Sequence, residues 1–343
     1  MPVNVISLSF SNIAKTILPL NAQLKKIISI GIKISVLILV AWFVYRKLND
    51  NQNLREFNIL IAELEPSVIG ITIAVLFTLM LANWLLECVK WKYLCRPIQQ
   101  ISFAKAFESV FCGLSWAIFT PNRIGEYGGR VFFLKPRKRI FGVVAMAVGA
   151  FAQMVITNMI GAIAIIWFLY NYQQLPFFAF IGCCILAVAF CGTMLVLYFK
   201  VGLLSKVINK IKILSKVQRF FSLLARYKTK QLKHVFMLSL ARFIVFTSQY
   251  CLVMQVLIAD LPLFPMVMMV FILFFIQSAI PSLDLLDVGV RSLTAGYLFA
   301  FITKQELAVM ASAASIWFIN LIIPAIIGSV FVFKINFFGR SNN

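Results

Sequence analysis

The chain has 343 residues, 62% of them apolar and 13% charged, whereas soluble domains run near half apolar and a quarter charged. With a mean hydropathy of +0.95, a soluble fold is excluded. Thirty-two Lys and Arg against eleven Asp and Glu leave a formal charge of +21, which in so apolar a chain belongs in cytoplasmic loops facing anionic lipid headgroups; no RNA or DNA module pattern is present, so nucleic acid is not an expected partner.

The N-terminal stretch Met1–Lys26 lacks the layout of a cleaved signal peptide. A first span is expected over Ile27–Tyr45, long enough for roughly 30 Å of hydrocarbon. The loop Arg46–Pro66 carries three basic and four acidic residues and is placed outside. A second span, Ser67–Glu87, ends in Lys90, Trp91, Lys92, Tyr93 and Arg96, an aromatic and basic flank placed inside. The third apolar run, Phe103–Thr120, then leaves the inside, yet the densest basic cluster follows it (Arg123, Arg130, Lys135, Arg137, Lys138, Arg139). A simple crossing would put that cluster outside. A re-entrant hairpin resolves the conflict: Phe103–Thr120 dips in, Pro121–Gly129 turns, and Arg130–Leu134 returns. Irregular backbone at membrane depth requires cover from protein or a wet cavity.

Ile140–Tyr170 crosses outward and Phe177–Phe199 crosses back. Lys200–His234, with ten basic residues and no acidic one, is cytoplasmic; within it, apolar residues at helical spacing and intervening Lys and Arg predict an amphipathic interfacial helix over 201–224. Val235–Ala259 crosses outward, Phe264–Ile280 enters from outside, Pro281–Gly289 breaks it, Val290–Ile302 returns, and Glu306–Phe333 crosses inward. The expected fold is thus an all-α polytopic membrane protein, a single integral membrane domain over 1–343. It has six full spans and two re-entrant hairpins, or eight spans at the expense of the basic cluster. Both termini are expected in the cytoplasm, with the chain in the cell inner (plasma) membrane. The halves, about 27–170 and 177–334, repeat span, span, broken hairpin, span in opposite orientation, an arrangement that points to a transporter site near the midplane.

Two segments carry chemistry. In Phe119-Thr-Pro-Asn-Arg-Ile-Gly-Glu-Tyr-Gly-Gly-Arg130, Pro121 ends a helix, while Gly125, Gly128 and Gly129 permit unusual backbone or close approach. Arg123, Glu126 and Arg130 set ionisable groups beside the break, where charge by default marks a site; the planar guanidinium suits phosphate. The second break, Pro281-Ser-Leu-Asp-Leu-Leu-Asp-Val-Gly-Val-Arg291, repeats the theme with Asp284, Asp287, Gly289 and Arg291. Each also reads as an ordinary turn, the first with positive-inside residues and the second with an Asp–Arg pair. One His in the chain argues against zinc and against a Ser-His-Asp site, and the seven Cys show no metal-ligand spacing. No metal or cofactor is expected, and the absence of a G-x-x-x-x-G-K-[ST] loop leaves no ATPase motif.

Thr-Pro-Asn-Arg-Ile-Gly-Glu-Tyr-Gly-Gly-Arg resembles the Pro-Gly-Arg-x-Gly-Glu-x-x-Arg signature of the flippase-like family, which includes the transmembrane region of lysylphosphatidylglycerol synthases. The second break is similar to that family's second motif, departing from it at Leu285-Leu286-Asp287 and at Arg291-Ser292. Glu87, Lys90 and Trp91 resemble the charged, Trp-containing end of its second helix. The resemblance implies site roles for Pro121, Arg123, Gly125, Glu126 and Arg130, and for Pro281, Gly289 and Arg291. The soluble aminoacyl-transferring domain of the family's enzymes is not expected, because the chain stops ten residues after Phe333. The leading expectation is a non-enzymatic protein that binds and moves an anionic or phosphate-bearing membrane lipid. Its pocket would be lined by Arg123, Arg130 and Arg291, with Glu126, Asp284 and Asp287 as partners or proton carriers. A membrane-embedded transferase acting on a lipid-linked substrate, or an accessory subunit of an envelope-lipid pathway, are the alternatives.

Overall fold

The computed structural model describes residues 64–118, 120, 123–200, 227–279 and 287–334, with residues 31, 34, 35, 38 and 62 standing singly. Most of the expected first span, the expected interfacial helix over 201–224, Pro121, Pro281 and Asp284 lie outside the described residues, as does the side chain of Asp287.

Among the described residues every regular element is helical. In chain order these are α1 (Pro66–Cys95), α2 (Phe103–Ala117), α3 (Ile124–Val131), a 3₁₀ turn (Pro136–Lys138) leading into α4 (Arg139–Tyr172), α5 (Phe177–Phe199), α6 (Thr229–Leu257), α7 (Leu263–Ala279), α8 (Asp287–Phe299) and α9 (Glu306–Trp317). A π-helical turn (Phe318–Ile322), α10 (Ile323–Ser329) and a 3₁₀ end (Val330–Lys334) prolong α9. Five stretches are long and apolar enough to cross a membrane: Pro66–Cys95, Pro136–Tyr172, Phe177–Phe199, Thr229–Leu257 and Glu306–Lys334.

The other four helices are short. The 15 residues of α2 and 8 of α3 rise only about 22 Å and 12 Å at 1.5 Å per residue, less than the ~30 Å of a hydrocarbon core. They pack against each other as a helical hairpin. The start of α2 is fixed by Ser102, whose hydroxyl accepts from the Lys105 N–H at 3.2 Å, satisfying one of the first-turn donors. Helices α7 (17 residues) and α8 (13 residues) form the second short pair.

Cross-links identify which helix ends lie together. Tyr227 Oη donates to the Leu94 carbonyl (2.8 Å), Lys135 N–H to Gln99 Oε1 (3.1 Å), Tyr198 Oη to the Leu232 carbonyl (2.9 Å), and Lys334 Nζ to Glu108 (2.5 Å). This end therefore collects Lys92, Arg96, Lys105, Lys135, Arg137, Lys138, Arg139, Lys200, Lys228, Lys230, Lys233 and Lys334. The opposite end is tied by aromatic pairs, Trp167 with Phe264 and Phe168 with Phe301 (centroids 5.7 and 4.9 Å apart); it carries Glu65, Asp260, Lys304 and Glu306.

The expected end of the second span at Glu87 is corrected: α1 continues to Cys95, and Lys90 and Trp91 beyond Glu87 are buried within it. Lys90 is tolerated inside because Glu87, one turn earlier, pairs with it at 2.7 Å, and the Trp91 indole donates to Ser109 Oγ at 2.9 Å.

Candidate functional site

The α2–α3 hairpin closes tightly because two glycines leave out side chains that would collide with backbone. A Cβ on Gly129 would stand 2.6 Å from Gly113 Cα, and one on Gly125 would stand 2.3 Å from the Trp116 carbonyl oxygen. The Gly125 N–H donates to Thr120 Oγ1 at 2.7 Å. Gly128 makes no such approach, its added Cβ meeting only Phe132 at 3.7 Å. Ahead of α3, Arg123 takes φ 56° and ψ 28°, the only non-glycine positive φ among the described residues. A non-glycine residue holds that conformation where its surroundings over-determine it. Its Nε lies 3.2 Å from Glu126 Oε2.

Close hairpin packing brings Arg130 into a buried charge cluster centred on Glu87 of α1. Glu87 Oε1 accepts from Arg130 Nη1 at 2.6 Å, and Oε2 accepts from Lys90 at 2.7 Å and from Arg242 Nη1. Arg130 also donates from Nη2 to Glu126 Oε1. The side chains of Lys90, Arg130 and Glu87 are 3%, 3% and 8% exposed. Buried charge persists only when paired and hydrogen-bonded, and here α1, α3 and α6 each supply members.

The same cluster orients Arg242. Its Nε donates to Asn83 Oδ1 at 3.0 Å, its Nη1 to Glu87, and its guanidinium carbon lies 5.2 Å from the centre of the Trp84 ring. Helix α1 thus engages one edge and one face of the guanidinium, and Nη2 is the amino group it leaves. Trp84 is itself fixed by donating from Nε1 to the Asn320 carbonyl at 3.2 Å. Pro324, four residues further on, has no N–H to give that carbonyl, and the π-helical turn Phe318–Ile322 falls at this point, as such turns often do at functional sites.

Arg242 lines a cavity of about 350 Å³ together with Arg123 and Arg291, near the lower end of the ~300–1,000 Å³ usual for ligand pockets. The cavity sits near the midpoints of four long helical stretches, reached through Asn83 and Trp84, Gln153 and Thr157, Arg242 to Tyr250, and Ile316 to Leu321. Phe274, Gln277 and Ser278 from the end of α7, and Arg291 from α8, complete it. No carboxylate is among the described residues that line it. Arg291 Nη1 donates to Gln277 Oε1 at 3.2 Å. Gln277 Nε2, Gln153 Oε1 and Asn320 Oδ1 are buried with no hydrogen-bond partner among the described residues.

Against the expected pocket, Arg123 and Arg291 line one cavity, although they come from different broken segments. Arg130 does not line it; its guanidinium is consumed by Glu87 and Glu126, and Arg242 stands in the wall instead. Gly289 is no part of a turn but a helical residue of α8, exposed and with open space where a Cβ would be. Asp287 opens α8, and Glu126 is the link between Arg123 and Arg130. Residues that sequence reasoning passed over are Arg242, Asn83, Gln153, Gln277 and Asn320. For Arg242 a signal existed, since it is the one charged residue of the apolar run Val235–Ala259 and an intramembrane Arg by default marks a site. Comparison with protein-family models, curated proteins and solved structures finds no match to this chain.

Proposed function

We propose that the chain is a membrane protein of flippase-like type that binds a phosphate-bearing membrane lipid and moves it between leaflets. In this reading the α2–α3 and α7–α8 pairs are re-entrant hairpins entering from opposite faces, the two halves are an inverted repeat, and the cavity lies near the bilayer midplane. The lysine-rich end then faces the cytoplasm of a cell with an anionic inner leaflet, following the positive-inside rule. The reading rests chiefly on one observation: Arg123, Arg242 and Arg291, contributed by both broken segments and a long helix, line one cavity whose described wall holds no carboxylate. Guanidinium groups bind phosphate through paired, charge-assisted hydrogen bonds, which strengthen as the surrounding dielectric falls.

Reconstitution into vesicles containing fluorescent anionic phospholipid, with a membrane-impermeant quencher added outside, tests it. The expected result is a protein-dependent rise in the quenched fraction, lost in Arg242→Gln. Quenching equal to that of protein-free vesicles for every phosphate lipid tried would overturn translocation.

A further inference from the structure

The cavity contains more than a phosphate calls for. A phosphate offers acceptors, so arginines and other donors suffice to hold it. Yet four carboxamides also reach the wall (Asn83, Gln153, Gln277 and Asn320), and each brings an acceptor oxygen that a phosphate oxygen would repel. Three have assignments fixed by their own contacts, Asn83 through Oδ1 accepting from Arg242 Nε. Asn320 Nδ2 donates to the Ile316 carbonyl at 3.1 Å, so the atom left over is the acceptor Oδ1. Gln277 Oε1 accepts from Arg291, so the atom left over is the donor Nε2. Asn320 is only 6% exposed, and a buried polar atom left unpaired is destabilising. The lining residues Asn320 and Gln153 thus bring unsatisfied acceptors and Gln277 an unsatisfied donor, a set that matches a group that both gives and takes hydrogen bonds, as a hydroxyl does.

The apolar part of the wall narrows the choice. Among the described lining residues, only Ile316 and Leu321 are aliphatic, while Trp84, Phe243, Phe246, Tyr250, Phe274 and Trp317 are aromatic. An acyl-chain tunnel has no need of that bias. Flat aromatic faces suit the C–H face of a saturated hydroxylated ring, and the carboxamides suit its edge.

We infer that the headgroup carried by this site is a hydroxyl-bearing ring, a sugar or cyclitol, joined to the phosphate. This rests on the anionic-lipid reading of the same cavity and specifies it: Arg242 holds the phosphate, and Asn320 and Gln277 select the ring.

Two lipids of equal charge separate the two statements. Phosphatidylinositol and phosphatidylmethanol are both singly charged phosphodiesters on diacylglycerol, and only the first has the hydroxylated ring. Each is titrated onto the full chain in phosphatidylcholine nanodiscs, with lipid occupancy read by native mass spectrometry. The wild type is expected to bind phosphatidylinositol about tenfold more tightly, the equivalent of one well-made buried hydrogen bond. The near-isosteric variants Asn320→Leu and Gln277→Met should each bring the ratio of the two affinities below about threefold. Should one variant fail to fold, the other carries the test. Arg242→Gln should weaken both lipids alike. Equal wild-type affinity for the two lipids, or a preference that survives in both carboxamide variants, overturns the ring assignment and leaves the anion site standing. An Arg242→Gln protein that binds both lipids as the wild type does overturns the anion site itself.

Discussion

Replacing Glu87 by Gln keeps the side-chain shape and removes the one carboxylate that three cations share. Arg130 retains Glu126, and Arg242 retains Asn83, but Lys90, 3% exposed, loses the ion pair that lets it be buried. Removing one partner of a buried pair costs about 3–5 kcal/mol, which at about 1.4 kcal/mol per decade is a fall of two to three and a half decades in the folded-to-unfolded ratio. Glu108→Gln is the control, because it breaks an ion pair whose Lys334 side chain is 56% exposed and should cost no more than about 1 kcal/mol. Equilibrium unfolding in mixed micelles with increasing sodium dodecyl sulfate, followed by tryptophan fluorescence, measures both. Adding Lys90→Met to Glu87→Gln should recover at least about 1 kcal/mol, since the orphaned ammonium is then gone and an apolar stem fills its place. If Glu87→Gln and Glu108→Gln fall within about 0.5 kcal/mol of each other, the buried cluster does not hold α1, α3 and α6 together and the reasoning fails.

Gly129→Ala should destabilise the protein by at least about 2 kcal/mol, because its Cβ meets Gly113 backbone at 2.6 Å and overpacking costs about 1–3 kcal/mol. Gly128→Ala, with room for the methyl, should be neutral or stabilising by up to about 1 kcal/mol; the same micellar unfolding measures both. In the vesicle assay, Arg130→Ala should slow lipid movement by at least about tenfold, or 1.4 kcal/mol, while Lys138→Ala, on the exposed basic end, stays within about twofold; equal losses would mean that only overall charge matters. Trp84→Phe should cost about 1–3 kcal/mol by stranding the Asn320 carbonyl, and Pro324→Ala in the same chain should recover part of it by restoring an N–H four residues on.

Much of the helix pattern was readable from hydropathy runs. The stretch Phe177–Phe199 coincides with α5 residue for residue, and Glu306–Phe333 falls one residue short of the last span. Runs of this kind report only how apolar a segment is, so the expected span Ser67–Glu87 stops at the charged turn Glu87–Lys90, which in the structure is the middle of a buried cluster. The partners that explain it lie far along the chain: Arg130 is 43 residues from Glu87 and Arg242 is 155, separations that leave no periodic trace. Within the first break the glycines looked alike in sequence, yet Gly125 and Gly129 meet backbone while Gly128 does not, a distinction created by how α2 and α3 dock. Asn320 gave no signal because its placement depends on Pro324 failing to supply a donor and on Trp84 supplying one instead.

The spacing of the buried charges bears on how such a chain enters a bilayer during synthesis. Lys90 follows Glu87 by three residues, Glu126 follows Arg123 by three, and Arg130 follows Glu126 by four, so each of these ions can be delivered into hydrocarbon already matched by a neighbour one helical turn away. Arg242 has no such escort, since α6 contains neither Asp nor Glu; its counter-ion was laid down 155 residues earlier in α1. Insertion of α6 is therefore coupled to a partner that must already be in place, which sets an order of assembly: α1 forms the socket, and α6 is retained by plugging into it.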